Sequence, residues 1–273
     1  NIAAANIAID YNIQGPSFTV STACSSGGDA INTACMCMQS GKADIMLAVG
    51  AESVLCPLVI YSLANAKALS RRNDSPSTAS RPFDVTRDGF VIGEGGGALV
   101  LETEEHALAR GAKIYAEIRG CGNTDDAYHV TAPHPEGRGA IACMKQAIAE
   151  AGINPSDIGY INAHGTATNK GDTVETSSIK KVFGNTLPYV SSTKGATGHM
   201  MGAGGITETI TCVKAIETGT VPPTINLNEV DPECAGIDFV ANTAKKAEIN
   251  FAMSNAFGFG GQNSSIIVGK YGK

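Results

Sequence analysis

A cysteine, two histidines and a lysine occupy glycine-rich segments in which side chains could do chemistry. Cys24 lies in "VSTACSSGGDAINTACMCMQSG" (20–41), where a β-prone run changes to a helical one. At a helix N-terminus, a cysteine meets unpaired backbone N–H groups and the positive end of the helix dipole, which favour the thiolate. The stretch therefore predicts a nucleophile with a lowered pKa, although a small buried cysteine beside a turn fits the same residues.

The histidines and the lysine stand where predicted strands give way to helices. The segment "YINAHGTATNKGDTVET" (160–176) delivers His164 from an apolar strand into a Gly/Thr turn. The segment "VSSTKGATGHMMGAGGITETI" (190–210) places Lys194 and His199 in a second strand-to-helix crossing, where glycines let a ligand approach closely. Either histidine alone also fits a hydrogen-bonded core or turn residue. We assign no catalytic role to the histidines of a charged helix and a proline-bearing loop, namely His106, His129 and His134.

Two further glycine-rich segments differ in what they predict. "NAFGFGGQNSSIIVGK" (255–270) sets glycines around Phe257 and Phe259 just before a strand, a turn that can aim backbone N–H groups at one point, as an oxyanion hole requires. "GEGGG" (93–97) is followed by neither a GxGxxG pattern nor a P-loop lysine. We therefore discount a nucleotide site.

Composition limits the class of protein. The 273 residues are 43% hydrophobic and 17% charged, enough to bury a substantial core, and the net charge of −6 argues against a broad nucleic-acid or anionic-membrane surface. No apolar run is long enough to span a bilayer and no signal-peptide pattern is visible, so we expect a cytoplasmic protein. The eight cysteines lack CxxC or Cys/His zinc spacing, which predicts free thiols and no metal site.

Apolar runs alternate with helical segments, which favours a layered α/β fold. Predicted strands lie at 43–51, 96–102, 157–165, 187–193, 236–242 and 264–270, with a short one within 112–122. Predicted helices lie at 25–40, 103–110, 138–151, 172–183 and 203–218, and each ends at a glycine: Gly41, Gly111, Gly152, Gly184 and Gly219. Polar, proline-bearing loops are expected at 71–89 and 123–139. The second loop makes 105–115 the expected boundary between a domain at 1–110 and a domain at 111–273.

Four segments, in this order, resemble the signature segments of β-ketoacyl-acyl-carrier-protein synthases: "STACSSG", "NAHGTATNKGD", "STKGATGHMMGAGG" and "NAFGFGGQN". These are the condensing enzymes of fatty acid and polyketide synthesis, and residues 79–102 are similar to a further family segment. The resemblance implies a thiolase-like fold with α/β/α/β/α layers. Histidine in both later motifs resembles the elongating Cys-His-His enzymes rather than Cys-His-Asn initiating ketosynthases or Cys-His-Cys thiolases.

The resemblance also implies the roles of three catalytic residues. Cys24 would accept the acyl chain from carrier protein as a thioester. His164 and His199 would bind the malonyl thioester carbonyl and stabilise the enolate that decarboxylation leaves. The reaction would be a decarboxylative Claisen condensation that gives 3-oxoacyl-acyl-carrier protein.

Supporting roles follow from the same resemblance. Lys194 would act on the histidine pair through its charge, and Glu208 would anchor that lysine or an ordered water. The backbone N–H groups of Cys24 and Phe259 would form the oxyanion hole. Phe259 matches the family's gating phenylalanine, and Phe257 would support the site.

The resemblance also implies binding partners, and the sequence differs from the family pattern in two respects. The substrates would arrive on the phosphopantetheine arm of acyl carrier protein, with no cofactor bound by the chain, and a homodimer is expected. Gln262 stands where the family has threonine. The chain begins almost at the nucleophile segment, so it would contain the end of the first family half and the complete second half. It would then be a fragment, or one piece of an enzyme whose N-terminal half is a separate chain. The alternative is a non-catalytic subunit that binds carrier protein or a partner ketosynthase half.

Overall fold

The computed structural model describes residues 1–272, and their helices and strands alternate along the chain. The helices are α1 (Ile2–Asp10), α2 (Ser26–Gln39), α3 (Pro57–Asn65), α4 (Glu104–Ala109), α5 (Arg138–Ala151), α6 (Asn169–Phe183), α7 (Lys194–Thr197) and α8 (Gly204–Thr218). The strands are β1 (Ile45–Glu52), β2 (Gly95–Glu102), β3 (Glu117–Asp125), β4 (Ile158–Asn162), β5 (Tyr189–Ser191), β6 (Thr220–Val221), β7 (Asp238–Phe239), β8 (Lys245–Lys246), β9 (Phe251–Phe257) and β10 (Gln262–Gly269).

The largest sheet has six strands in the order β3-β10-β9-β4-β5-β7. The strands β9, β4, β5 and β7 run parallel to one another, whereas β10 is antiparallel to both β3 and β9. β1 and β2 form a separate antiparallel pair, as do β6 and β8. Because β9, β4 and β5 point the same way, their carboxyl ends meet at one edge, where open α/β sheets carry ligand sites.

Helices α2 and α8 lie between the β1–β2 pair and the large sheet, whose opposite face is covered by α5 and α6. Ile31 of α2 and Ile206 of α8 are fully buried in the core between the sheets, together with Tyr160 of β4. Met144 of α5 and Ile179 of α6 belong to a second core on the far face. Each sheet therefore buries an apolar face against helices, and the predicted layered α/β architecture is confirmed.

The apolar helices α1 and α3 are not covered by other parts of the described chain. Their sequences are IAAANIAID and PLVIYSLAN, yet neither helix contains a buried residue. Ile9 is 75% exposed and Leu58 is 76% exposed, and Val100 on strand β2 is 64% exposed. Two apolar helices without a buried residue expose more apolar surface than scattered single side chains do, and such surface is typical of an interaction site in a folded protein.

Most of the predicted elements are present with shifted ends. Helix α6 begins three residues before the predicted position, and β3 extends into the predicted loop at 123–139. Backbone φ is positive at every glycine that was expected to end a helix: Gly41, Gly111, Gly152, Gly184 and Gly219. Helices α1 and α3 and strand β9 were not predicted. Strand β9 was not predicted because its buried Ser254 and Asn255 interrupt the apolar pattern. The structure satisfies the buried amide, because the Asn255 oxygen accepts a hydrogen bond from the Ser265 hydroxyl at 2.8 Å.

None of the helices in residues 1–272 combines the length and apolarity that a bilayer crossing needs. The predicted boundary at 105–115, between a domain at 1–110 and a domain at 111–273, remains a prediction.

Candidate active site

Cys24 lies in a tight turn at the start of α2. A single 3₁₀ turn, Ala23–Ser25, leads directly into the helix, and Ala23 has a φ of +50°. The carboxylate of Asp29, one turn into α2, accepts hydrogen bonds from the hydroxyls of Thr22 (2.5 Å) and Ser25 (3.1 Å). This buried carboxylate fixes the turn, so the position of the thiol is set by α2.

Glycines let α2 approach α8 closely enough for the two chemical segments to meet. A Cβ atom on Gly205 would lie 2.4 Å from the backbone nitrogen of Gly28, and one on Gly27 would lie 2.7 Å from the backbone nitrogen of Ile206. Real Cβ atoms essentially never come so near to backbone. The glycine pairs in "SSGGD" and "GAGG" therefore set the distance between the Cys24 turn and the segment that precedes α8.

His164 follows β4 at the carboxyl edge of the large sheet and is 9% exposed. The backbone N–H groups of His164 and Gly165 donate to the two carboxylate oxygens of Glu175, at 2.8 and 2.7 Å. Glu175 lies on α6 and is buried, and burial raises the pKa of its carboxyl to about 7. The helix α6 thus holds the backbone of the histidine turn while the imidazole faces the site.

His199 contacts the nucleophile directly. Its Nε2 atom lies 3.1 Å from the Cys24 sulfur, and its Nδ1 accepts the backbone N–H of Met201 at 3.3 Å. An Nδ1 that accepts a hydrogen bond carries no proton, so in the neutral imidazole the proton is assigned to Nε2. The backbone of His199 is tied to Val91 and Gly93, and the edge of the Phe90 ring packs against the imidazole.

The two imidazoles stand at right angles beside the thiol. Their ring centroids are 5.2 Å apart with an interplanar angle of 85°, and the Phe257 ring lies 6.0 Å from that of His164. Burial, and then the charge of Lys194, hold the pKa of both imidazoles well below the usual 6.5. Both histidines are therefore neutral at physiological pH and can each donate one N–H.

Lys194 and Glu208 form a buried ion pair behind the histidines. The lysine ammonium donates to a carboxylate oxygen of Glu208, and the two residues are only 1% and 4% exposed. Burial raises the pKa of the Glu208 carboxyl, and the adjacent ammonium opposes that rise. The other carboxylate oxygen of Glu208 has no hydrogen-bond partner among the described residues.

The predicted lowering of the Cys24 pKa is wrong. Burial raises the pKa of the thiol to about 11, although the backbone N–H of Phe259, the charge of Lys194 and the backbone N–H of Cys24 itself act in the opposite direction. The sequence indicated the stabilising N–H groups but not the depth of the sulfur, and removal from water disfavours the thiolate more than these groups favour it.

The glycine turn between β9 and β10 brings the Phe259 N–H to the sulfur. Gly258 packs against the nucleophile turn, where a Cβ would lie 2.9 Å from the Thr22 carbonyl oxygen. The N–H of Gly258 donates to the main-chain carbonyl of Gln262 at 2.6 Å, so the turn does not depend on the side chain at that position. The backbone N–H groups of Cys24 and Phe259 both lower the pKa of the thiol, so both lie close to the sulfur, where the carbonyl oxygen of an attached thioester would need donors.

A cavity of about 290 Å³ opens onto the thiol and both imidazoles. Its walls include Phe90, Phe257 and Phe259, together with the hydroxyl-bearing Thr166 and Thr168.

His106 pairs with Glu102 on the surface, and the Nδ1 atoms of His129 and His134 accept hydrogen bonds from nearby backbone N–H groups. These last three histidines do not line the cavity, as expected.

Sequence reasoning missed Glu175 and Phe90. Glu175 shares the buried face of α6 with Asp172, Ile179 and Phe183, at the spacing of one helix face. Two carboxylates at the same helical spacing as the apolar Ile179 and Phe183 were a signal that a polar group had to be satisfied inside the protein. No local pattern indicates Phe90, because its contact with His199 joins two distant segments.

Comparison with known proteins agrees with this geometry. Residues 1–107 match the family model of the β-ketoacyl synthase N-terminal domain, and residues 115–228 match that of the β-ketoacyl synthase C-terminal domain. The 3-oxoacyl-(acyl-carrier-protein) synthase 2 of Rhizobium meliloti is 48% identical to this chain. The aligned region covers 99% of this chain and 65% of the Rhizobium protein. The chain thus spans just under two thirds of the length of this curated relative.

Solved structures give the same result. One similar structure is a type II polyketide synthase ketosynthase, solved with its acyl-carrier protein and a hexaketide. It superimposes with a TM-score of 0.95 at 38% sequence identity, and the match covers 98% of this chain and 66% of the ketosynthase chain. A β-ketoacyl synthase from Burkholderia phymatum superimposes with a TM-score of 0.94 at 39% identity, over 98% and 64%. The expected thiolase-like ketosynthase fold is confirmed. With both family domains matched along its length, the chain belongs to the β-ketoacyl synthase family.

Proposed function

We propose that this chain carries the catalytic centre of an elongating condensing enzyme. The reaction joins an acyl chain held on Cys24 to malonyl-acyl-carrier protein, with loss of CO₂, and gives 3-oxoacyl-acyl-carrier protein. The observation that carries the proposal is the contact of 3.1 Å between the Cys24 sulfur and His199, with His164 beside them. The Rhizobium relative is named as a synthase of the same product, 3-oxoacyl-acyl-carrier protein.

In the first half-reaction, the Cys24 sulfur attacks the thioester carbonyl of an acyl-carrier protein. The new S–C bond forms as the carrier thiolate leaves, and the thiol proton of Cys24 ends on that leaving sulfur. The backbone N–H groups of Cys24 and Phe259 stabilise the tetrahedral oxyanion. Because burial keeps the thiol protonated at rest, the N–H of His199 and the charge of Lys194 are needed to stabilise the thiolate as it forms.

In the second half-reaction, the two imidazoles bind the malonyl thioester carbonyl. Breaking the C–C bond to the carboxylate releases CO₂ and leaves an enolate, whose negative oxygen accepts the N–H groups of His164 and His199. A donor aimed at such developing charge is worth on the order of 3–4 kcal/mol. The enolate carbon then attacks the acyl thioester on Cys24, and the cysteine leaves as a thiolate that is reprotonated.

The supporting groups act by position and charge. We assign Lys194 to the electrostatic support of both histidines, since its charge lowers the pKa of each one. Glu208 anchors that ammonium. Phe257 packs beside His164, and Phe259 lines the cavity at the turn that supplies the oxyanion donor, a suitable place for a gate.

We propose acyl carrier protein as the partner that delivers both substrates, as in the polyketide ketosynthase solved with its acyl-carrier protein. The phosphopantetheine thioester brings the reacting carbonyl, and the chain itself needs no bound cofactor for this chemistry.

Eight free cysteines fit a reducing compartment such as the cytoplasm. The exposed apolar helices α1 and α3 favour assembly with a second polypeptide, either an N-terminal half or a second copy in a homodimer.

The same apolar surface favours a second candidate function, that of a non-catalytic subunit that only binds carrier protein or a partner ketosynthase half. The two candidates are separated by product formation. The chain is combined with the portion of a relative that it does not span, and 3-oxoacyl product is measured from acyl- and malonyl-carrier protein. We expect product with the parent chain and with the control Cys56→Ser, which alters an exposed thiol outside the cavity. Cys24→Ala should give none, and equal product from Cys24→Ala would exclude the condensing function.

A further inference from the structure

Three soft or borderline metal donors meet in the cavity. One ligand atom from each of Cys24, His164 and His199 lies within 4.8 Å of the other two, and the sulfur and Nε2 of His199 are only 3.1 Å apart. The resemblance brought these three residues together as catalytic groups, but their wide separation along the chain shows none of the local spacing that marks a zinc site. Local Cys/His spacing therefore could not reveal it.

The spacing of the donors suits a small tetrahedral ion. Zinc lies about 2.3 Å from sulfur and about 2.0–2.1 Å from imidazole nitrogen, so its ligands are roughly 3.3–3.7 Å from each other. The observed separations, 3.1 Å for one pair and at most 4.8 Å for the others, need only small side-chain rotations to reach that arrangement. One thiolate and two imidazoles form the kind of donor set that prefers Zn²⁺ to Mg²⁺ or Ca²⁺.

The surroundings admit a cation. The positive charge of Lys194, which lowers the pKa of both imidazoles, opposes a cation here, and its pairing with Glu208 offsets part of that opposition. The carboxylates of Glu52, Asp126 and Glu175 are among the residues that line the same cavity. The cavity leaves one side of the three donors open, which is where a fourth ligand such as water would bind.

We propose that Cys24, His164 and His199 bind one Zn²⁺ ion, with its fourth coordination position open to the cavity. Binding releases the thiol proton of Cys24 to solvent and shifts the His199 proton from Nε2 to Nδ1, which gives up the hydrogen bond from the Met201 N–H. Three metal–ligand bonds form without any change of oxidation state. The ion occupies the nucleophile and the imidazole nitrogens that would otherwise donate to the enolate, so it excludes acyl and malonyl thioesters. Zinc is therefore a reversible inhibitor of this site, and chelation restores the free residues.

Binding is measured directly, so this inference can be tested whether or not the condensing function holds. The chain, combined as above with the portion of a relative that it does not span, is stripped of metal and dialysed against Zn²⁺, and bound zinc is counted. We expect one ion per chain, a loss of affinity of at least tenfold in each of Cys24→Ser, His164→Ala and His199→Ala, and unchanged affinity in Cys56→Ser. Co²⁺ provides a spectroscopic probe, because a sulfur-to-cobalt charge-transfer band should appear in the parent and be absent in Cys24→Ser.

A second measurement needs no variant. Zn²⁺ should slow the alkylation of Cys24 by iodoacetamide at least tenfold, leave the exposed Cys56 alkylated at its ordinary rate, and lose its effect when EDTA is added. Equal alkylation of Cys24 with and without Zn²⁺ would overturn the proposal. Zinc that stays bound in Cys24→Ser and in both histidine variants would also overturn it, because the ion would then occupy another part of the surface.

Discussion

The ammonium of Lys194 donates to the carboxylate of Glu208 in the interior of the protein, beside the two histidines of the site. Neither residue is more than 4% exposed. A charge in such a place has no water to stabilise it, so each member of the pair depends on the other. The pair therefore supports both the fold and the protonation state of the imidazoles.

Replacing one partner of this pair should destabilise the chain strongly. Glu208→Gln leaves the Lys194 ammonium buried without a counter-charge, which typically costs about 3–5 kcal/mol of unfolding free energy. The matched control is Glu217→Gln, which breaks the exposed pairs of Glu217 with Lys113 and Lys214 and should change the free energy of unfolding little, because water already solvates these charges. Urea unfolding of the two variants measures both values, and equal losses would contradict the account.

The close approach of α2 and α8 gives a second prediction. Gly205→Ala would place a Cβ 2.4 Å from the backbone of Gly28, and relief of that clash should cost about 1–3 kcal/mol and displace Cys24 from His199. Gly204→Ala is the neighbouring control, because its Cβ would meet only the Glu208 side chain at 3.7 Å. Thermal melts of both variants provide the comparison. A Gly205→Ala variant as stable as Gly204→Ala would show that the helices are not held at this distance by the glycines.

The pKa of the Cys24 thiol predicts how its alkylation depends on pH. Burial raises that pKa to about 11, so the thiolate fraction and the rate of alkylation should increase about tenfold per pH unit between pH 7 and pH 10. Peptide mapping after limiting exposure to iodoacetamide follows the rate at Cys24, with the exposed Cys56 as an internal reference. A rate at Cys24 that levels off near pH 7 would show instead that the helix N-terminus prevails over burial.

The uncovered helices predict the behaviour of the isolated chain. Exposing even about 400 Å² of apolar surface corresponds to about 10 kcal/mol at ~25 cal/mol per Å². Residues 1–273 alone should therefore bind a hydrophobic dye strongly or aggregate, and a polypeptide that covers α1 and α3 should suppress both effects. A monodisperse monomer with a cooperative melt and no dye binding would be incompatible with this reading of the surface.

The sequence was informative where local patterns decide structure. The apolar runs before His164 and Lys194 correctly predicted strands that deliver both residues to one edge of a sheet. The helices α1 and α3 were missed because their few polar residues leave a nearly uniform apolar run, which shows no clear helical periodicity.

What the sequence could not predict depends on packing between distant segments. The contact of Cys24 with His199 relies on the fit of α2 against α8, and the support of His164 relies on Glu175 from another helix. The pKa of the thiol was misjudged for the same reason, since burial is a property of the assembled site and not of the turn that carries the cysteine.

The most direct test of the central claim separates the cysteine from the histidines. Malonyl-carrier-protein decarboxylation is measured in the chain combined with the portion of a relative that it does not span, for Cys24→Ala, His164→Ala and His199→Ala. We predict that Cys24→Ala still decarboxylates while it forms no 3-oxoacyl product, because the enolate is stabilised by the imidazole N–H groups and not by sulfur. Each histidine variant should lose decarboxylation by a factor of about 100 or more. Decarboxylation at the parent rate in both histidine variants would contradict the mechanism proposed for this site.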